Sequence, residues 1–151
     1  MPSKIIVPTS RGDLLWGVWQ GFREIKKVMK SIPLPQMIAV EPFPRLTAVL
    51  KGEDYTNSFH GQTVLKSIAG STVTYQAVAP IKESRGKAVI VSSKEAFIAQ
   101  QHLMKKGIFL EPSSASVISA YEKLKQYGMI REKDVIVTIG TSLDLSKFNY
   151  S

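Results

Sequence analysis

"VPTSRGDLLWGVWQGFREI", residues 7–25, passes from an apolar strand end through a polar, glycine-bearing turn into an amphipathic helix. Just upstream, Lys4–Pro8 (KIIVP) is a short apolar run bounded by turn residues, which reads as a buried strand. From Asp13 to Lys30 the residues Leu14, Leu15, Val18, Trp19, Phe22, Ile25 and Val28 recur at the spacing that gathers them on one side of a helix. Strand, loop and helix in this order predict the first unit of an α/β fold. The layout also suits a loop that cradles a phosphate with backbone amides at a helix N-terminus. Against that use, Asp13 places a carboxylate where the anion would lie.

The alternation continues along the chain. SIPLP (31–35) stops the first helix, because proline removes an amide donor and restricts the residue before it, and QMIAVEP reads as a second buried strand over Met37–Val40. PRLTAVLKGE predicts a short helix stopped by Gly52, and DYTNSFHGQT (54–63) a polar loop. Thr72 to Ser84 carries a helical pattern interrupted by Pro80, and KAVIVSS gives a third strand over Ala88–Val91. Ser92 and Glu95 have the spacing of a capping box, with Gly107 as the stop of the helix they open. Pro112 suits the first turn of a following helix and Gly128 its end. KDVIVTIGT then contains a near-continuous apolar run, Val135–Ile139, expected as a central strand buried on both faces. These elements predict an α/β domain of three layers, a mainly parallel sheet flanked by helices.

Composition limits what such a domain does. At 151 residues, 44% hydrophobic and 21% charged, the chain supports one real core, and residues 1–151 are expected to form a single domain. No apolar run approaches the roughly 20 residues needed to span a bilayer, and IIV near the start is short for a signal peptide; a cytoplasmic protein is expected. Without cysteine there is no disulfide, thiolate metal site or cysteine nucleophile. The net charge of +8 is dispersed over helix faces such as REIKKVMK, without interleaved aromatic residues, so nucleic acid is not the expected partner. His60 and His102 have no acidic neighbours at metal-ligand spacing and read as ordinary histidines.

In a parallel sheet, ligands bind at the carboxyl ends of the strands, where helix N-termini also point. Three segments would meet there: TSRGD, with Thr9, Ser10, Arg11, Gly12 and Asp13; EPSSA, with Glu111 and Ser113; and TIGTS, with Ile139, Gly140 and Thr141. Each is rich in hydroxyl or glycine residues, as an anion site prefers, although each is also ordinary as a cap or turn.

The same segments carry a likeness. VPTSRGDLLWGVWQGF resembles the VPVGSGGTLAGIWKGF pattern of threonine synthase and its relatives, pyridoxal-phosphate enzymes of the tryptophan-synthase β fold (fold type II). KKGIFLEPSSASVISAYEKL is similar to their EGIFCEPASAAAMAGVFKL, and PQMIAVEP and SSKEAFIAQQHLMKKG fall where that family has its next strand and helix. The likeness runs from about Ile5 to Leu143. It implies the C-terminal, large-domain part of that fold, with pyridoxal phosphate as the family's cofactor. The resemblance also implies a missing half, since the family's Schiff-base lysine, in its SFKDR-type motif, and the asparagine that meets the ring hydroxyl precede the phosphate loop. None of this chain's lysines sits in a matching context.

Against the family pattern, Ser10 and Asp13 replace loop glycines, Gly12 is kept, and Leu14 stands where a small polar residue is usual. At ~5 Å and an effective dielectric of ~20, the Asp13 carboxylate opposes each phosphate charge by roughly 3 kcal/mol. Arg11 offsets part of this by pairing with Asp13 or with the phosphate. Ile139 takes the place of the threonine that meets the pyridine nitrogen, and can neither donate nor accept; Thr138, Thr141 and Ser142 are near enough in sequence to substitute if the turn shifts by a residue. The expectations are a threonine-synthase-like polypeptide, catalytically incomplete alone, or a non-catalytic binding or regulatory domain derived from that family. A homodimer or a partner chain supplying the N-terminal half is expected to complete it.

Overall fold

The structure is a computed structural model and describes residues 1–144; residues 145–151, which the expected domain 1–151 includes, lie outside the described residues. Its centre is a four-stranded, wholly parallel sheet of β1 (Lys4–Pro8), β2 (Gln36–Glu41), β3 (Lys87–Ile90) and β4 (Ile136–Thr138), in the order β3-β2-β1-β4. Five α-helices surround it: α1 (Asp13–Val28), α2 (Leu46–Leu50), α3 (Tyr75–Glu83), α4 (Ser93–Met104) and α5 (Pro112–Gln126), with a 3-10 turn at Lys66–Ile68.

Successive residues of β1 point to opposite faces, and each face has its own core. On one side Ile5, Val7, Met37 and Ala39 pack with Leu15 and Trp19 of α1, Leu46 of α2, and Ala77 and Ile81 of α3. On the other, Ile6, Ile38 and Val40 pack with Ala96 of α4 and Val117, Ala120 and Leu124 of α5. This is the expected three-layer α/β arrangement. Trp19 also donates its Nε1–H to Glu83 at 2.8 Å, which ties α1 to α3 while satisfying the buried indole.

Local signals account for most element ends. The capping box forms as expected: Ser92 Oγ accepts from the Glu95 amide, and the Glu95 carboxylate accepts from the Ser92 amide at 2.8 Å. Gly52, Gly107 and Gly128 close their helices at positive φ, and Pro112 opens α5. Pro80 behaves differently from its expected role as an interruption, because α3 runs straight through it. The missing amide removes one helical hydrogen bond, but Ala77, Ala79 and Ile81 on either side are buried and hold the turn together.

The last strand requires a correction. The apolar run at 135–139 does not form a central strand buried on both faces: β4 is three residues long and, among the described residues, lies at the sheet edge, paired only with β1. Ile136 packs into the α5-side core, while Val135 and Val137 on the opposite face remain 56% and 40% exposed. The cause is that α1 lies over β1 and β2, and no described helix covers the α1-side face of β4. A groove of about 540 Å³ beside Ile118, Tyr121, Ile130 and Ile136 leaves the α5 side of the edge open too. The strand is pinned at its start, where Lys4 Nζ meets Asp134 at 2.6 Å. The Asp134 carboxyl is lowered to about 2, first by the Arg131 amide and then by Lys4. No helix among the described residues is long and apolar enough to cross a membrane.

Candidate functional site at the carboxyl end of the sheet

The carboxyl end of β1 runs directly into the loop Thr9–Gly12 and then into α1. Thr9 is fixed by its amide to Val40 O (2.9 Å) and by its hydroxyl to Val7 O (2.8 Å), so the loop leaves the sheet from a rigid point. Gly12 is the N-cap of α1, with φ +99°, and no side chain caps the helix. The amides of Ser10, Arg11 and Gly12 make no hydrogen bond among the described residues, and the first helical amide to find a backbone partner is that of Trp16, on Gly12 O at 2.8 Å. A run of donors is therefore left open at a helix N-terminus, the arrangement that favours an anion.

A second wall comes from α5 and the segment after β4. Ser114, fully buried in the first turn of α5, accepts from the amides of Thr141 (3.2 Å) and Ser142 (2.9 Å) and shares a hydrogen bond with Thr141 Oγ1 at 2.7 Å. Glu111, the N-cap of α5, donates its amide to Ser142 O at 3.1 Å and accepts from Ser67 Oγ on its carboxylate at 2.8 Å. Between these walls lies a cleft of about 260 Å³.

Thr9, Ser10, Arg11, Gly12, Asp13, Glu111 and Thr141 line that cleft together with Ser142 of the TIGTS segment, as does Ser67, which sequence reasoning did not single out. Ser113, Ile139 and Gly140 do not line it. Ser113 is buried, with its carbonyl accepting from Ser116 Oγ, and Gly140 lies against Leu110. Ile139 bonds Ile6 O through its amide at 3.0 Å, and its side chain packs on the α1-side core. Ser114 rather than Ser113 faces the Thr141 turn; a one-residue step on a helix rotates a side chain by about 100°, and nothing in PSSA itself fixes that rotation.

Beneath the loop sits a buried ion pair. Arg45 and Glu41 are both 0% exposed. Glu41 accepts from the amides of Leu46 (2.6 Å) and Thr47 (2.8 Å) at the start of α2, and Arg45 Nε lies 3.9 Å from its carboxylate. Burial pulls the Arg45 guanidinium below its ordinary value, and Glu41 opposes that shift.

The cleft suits part of a phosphorylated cofactor. Open amides, hydroxyls and the Arg11 cation match a phosphate group. Asp13 is exposed in the first turn of α1, where water raises the effective dielectric; at ~80 its opposition over ~5 Å falls to about 0.8 kcal/mol per charge. No lysine lines the cleft, so among the described residues no amine is placed to hold a cofactor covalently. His60 and His102 are both exposed, and the described residues contain no cluster of three or more His, Cys, Asp or Glu suited to a metal.

Residues 1–142 match the family described as "Pyridoxal-phosphate dependent enzyme". Among characterised relatives, the threonine synthase of Methanosarcina acetivorans is 30% identical over 148 residues, covering 93% of this chain and 36% of that protein. The threonine synthase of Methanocaldococcus jannaschii is 32% identical over 148 residues, with the same coverage of 93% and 36%. The chain thus spans little more than a third of the length of these relatives. Among solved structures, threonine deaminase isoform 2 from Solanum lycopersicum superposes with a TM-score of 0.76 at 20% identity, over 97% of this chain and 41% of that one. Serine racemase from Dictyostelium discoideum superposes at 0.69 with 22% identity, over 95% and 44%. These two likenesses establish a shared fold.

Proposed function

The chain belongs to the pyridoxal-phosphate dependent enzyme family, and on that premise we propose that it corresponds to the C-terminal part of a threonine synthase. In this reading it keeps the phosphate end of the cofactor site and is catalytically incomplete by itself. The observation that carries the proposal is the composition of the cleft: open amides and hydroxyls for a phosphate, and no lysine among the lining residues. Bound there, pyridoxal phosphate would supply the electron sink of amino-acid chemistry. The residues of this chain would hold its phosphate through the amides of Ser10, Arg11 and Gly12, orient it with Thr141 and Ser142, and leave covalent attachment to another polypeptide segment.

The test is an absorbance titration with pyridoxal phosphate at stoichiometric concentration, followed by borohydride reduction and peptide mapping. The expected result is diffuse, weak labelling of surface lysines. One uniquely labelled lysine with micromolar affinity would overturn the proposal. In the same titration Asp13→Asn should tighten residual phosphate binding by roughly fourfold, the equivalent of the ~0.8 kcal/mol opposition of an exposed carboxylate.

A second reading, a non-catalytic binding or regulatory domain derived from the family, is favoured by the charge of Asp13 in the cradle and by Ile139 turning into the core. Both readings include a partner. The open β4 edge, with Val135 and Val137 exposed, is a surface that a parallel sheet normally covers, so a homodimer or a chain supplying the N-terminal part of the fold completes it. Purified alone, the chain should self-associate in light scattering as its concentration rises; a monodisperse monomer across a wide range would remove the homodimer.

A further inference from the structure

We propose that Arg45, which does not itself line the cleft, is the positioning residue that turns the loop's amides toward it. The inference rests on the reading of the cleft as a phosphate site and adds what orients it. In a planar trans peptide, the carbonyl of one residue and the amide of the next point to opposite sides. Arg45 Nη2 donates to Thr9 O at 2.8 Å, and Nη1 donates to Ser10 O at 2.8 Å and to Thr72 O at 3.0 Å. Thr74 Oγ1 donates to the next carbonyl, Arg11 O. Three consecutive carbonyls are thus held from behind, and the three amides that follow them, those of Ser10, Arg11 and Gly12, are turned the other way. Those are the amides left without a partner among the described residues.

The anchor is built for this use. Glu41 spends its hydrogen-bonding capacity on the α2 amides and keeps only a 3.9 Å approach to Arg45 Nε, which has no hydrogen bond. Both terminal nitrogens of the guanidinium are thereby free for the loop. Gly70 leaves the necessary room, since a Cβ there would come within 3.0 Å of both Arg45 Nη1 and Ser10 Oγ. A lysine would keep the charge but lose the planar fork that spans two successive carbonyls. The ligand class that these three amides recognise is a phosphate or phosphate monoester.

The experiment follows backbone amide NMR signals while the full chain is titrated with inorganic phosphate, in the wild type and in Arg45→Lys, Thr74→Val and Thr74→Ser. In the wild type, phosphate should move the Ser10, Arg11 and Gly12 signals. Arg45→Lys should bind about tenfold more weakly, the scale of losing hydrogen bonds from a charged donor, with the signals of α4 and α5 unchanged. Equal phosphate affinity in the wild type and Arg45→Lys would overturn the assignment. If Arg45→Lys fails to fold, Thr74 decides: the valine variant should displace the Gly12 signal and weaken phosphate while the serine variant restores both, and a valine variant identical to the wild type would overturn the shared mechanism. If the wild type ignores phosphate, the cradle reading fails on its own. The ligand-free spectra then judge Arg45, because displaced Ser10 and Arg11 signals in Arg45→Lys uphold its positioning role and unmoved ones overturn it.

Discussion

Replacing Glu41 by alanine should lower the stability of the fold by about 3–5 kcal/mol, the range for removing one partner of a buried ion pair. Two separate losses combine. The Arg45 guanidinium, 0% exposed, loses the only carboxylate paired with it among the described residues, and the Leu46 and Thr47 amides lose acceptors at 2.6 and 2.8 Å. Neither loss is open to repair by water without reopening the packing of α2 against the sheet. Glu41→Gln keeps one acceptor oxygen and the shape, so it should cost distinctly less. Chemical denaturation followed by the fluorescence of Trp16 and Trp19 measures both. Adding Arg45→Met to the alanine variant removes the stranded cation but also strips donors from Thr9, Ser10 and Thr72, so stability should recover only in part. A cost below about 1 kcal/mol for Glu41→Ala would show that the pair is solvated rather than buried.

Gly12→Ala should be almost as damaging, and here the phosphate cradle is lost along with stability. Gly12 sits at φ +99°, where a side chain costs about 1–2 kcal/mol in the backbone alone. A Cβ would also meet Ala77 Cα at 2.5 Å and Ala77 N at 2.6 Å, so α1 and α3 would have to part, which adds roughly 1–3 kcal/mol. A displaced Gly12 moves the start of α1 away from the loop amides, and phosphate affinity should fall by at least the tenfold expected of Arg45→Lys. Gly17 and Gly21 provide the contrast. Both lie inside α1 with nothing within 4 Å of an added Cβ, so alanine at either should stabilise the fold by about 0.5–1 kcal/mol. If Gly12→Ala resembled those two, the close packing under the loop would be wrong.

The sequence reveals the elements whose causes are local and hides those whose causes are distant. The strand, loop and helix at 4–28 are written in apolar spacing, and Ser92, Glu95, Gly107 and Pro112 mark their helix ends by chemistry that acts within a few residues. That the TSRGD, EPSSA and TIGTS segments would converge follows from the rule that parallel strands share a carboxyl end. Arg45 was illegible because its carbonyl partners lie 35, 36 and 27 residues away, and in PRLTAV it looks like an ordinary helix-start cation. Ser67 was missed for the same reason, since its partner Glu111 is 44 residues distant. The place of β4 was misread because an apolar run reports that burial is wanted, not which neighbour supplies it.

The pairing of β1 with β4 has a consequence for how the molecule reaches this form. Ser3 and Val135, bonded at the foot of that pair, are separated by 132 residues, so nearly the whole chain is one loop that must close before they meet. Such closure is entropically costly and comes late, after the local β1–α1 and α4–α5 units have formed. The Thr141 and Ser142 rim is delivered by the same event, because those residues follow β4 and reach Ser114 only once it has docked. During synthesis, the loop at Thr9–Gly12 therefore emerges well before its opposite wall. The pocket is complete only when β4 is in place, which makes a formed cleft a report that the β1–β4 pairing has closed.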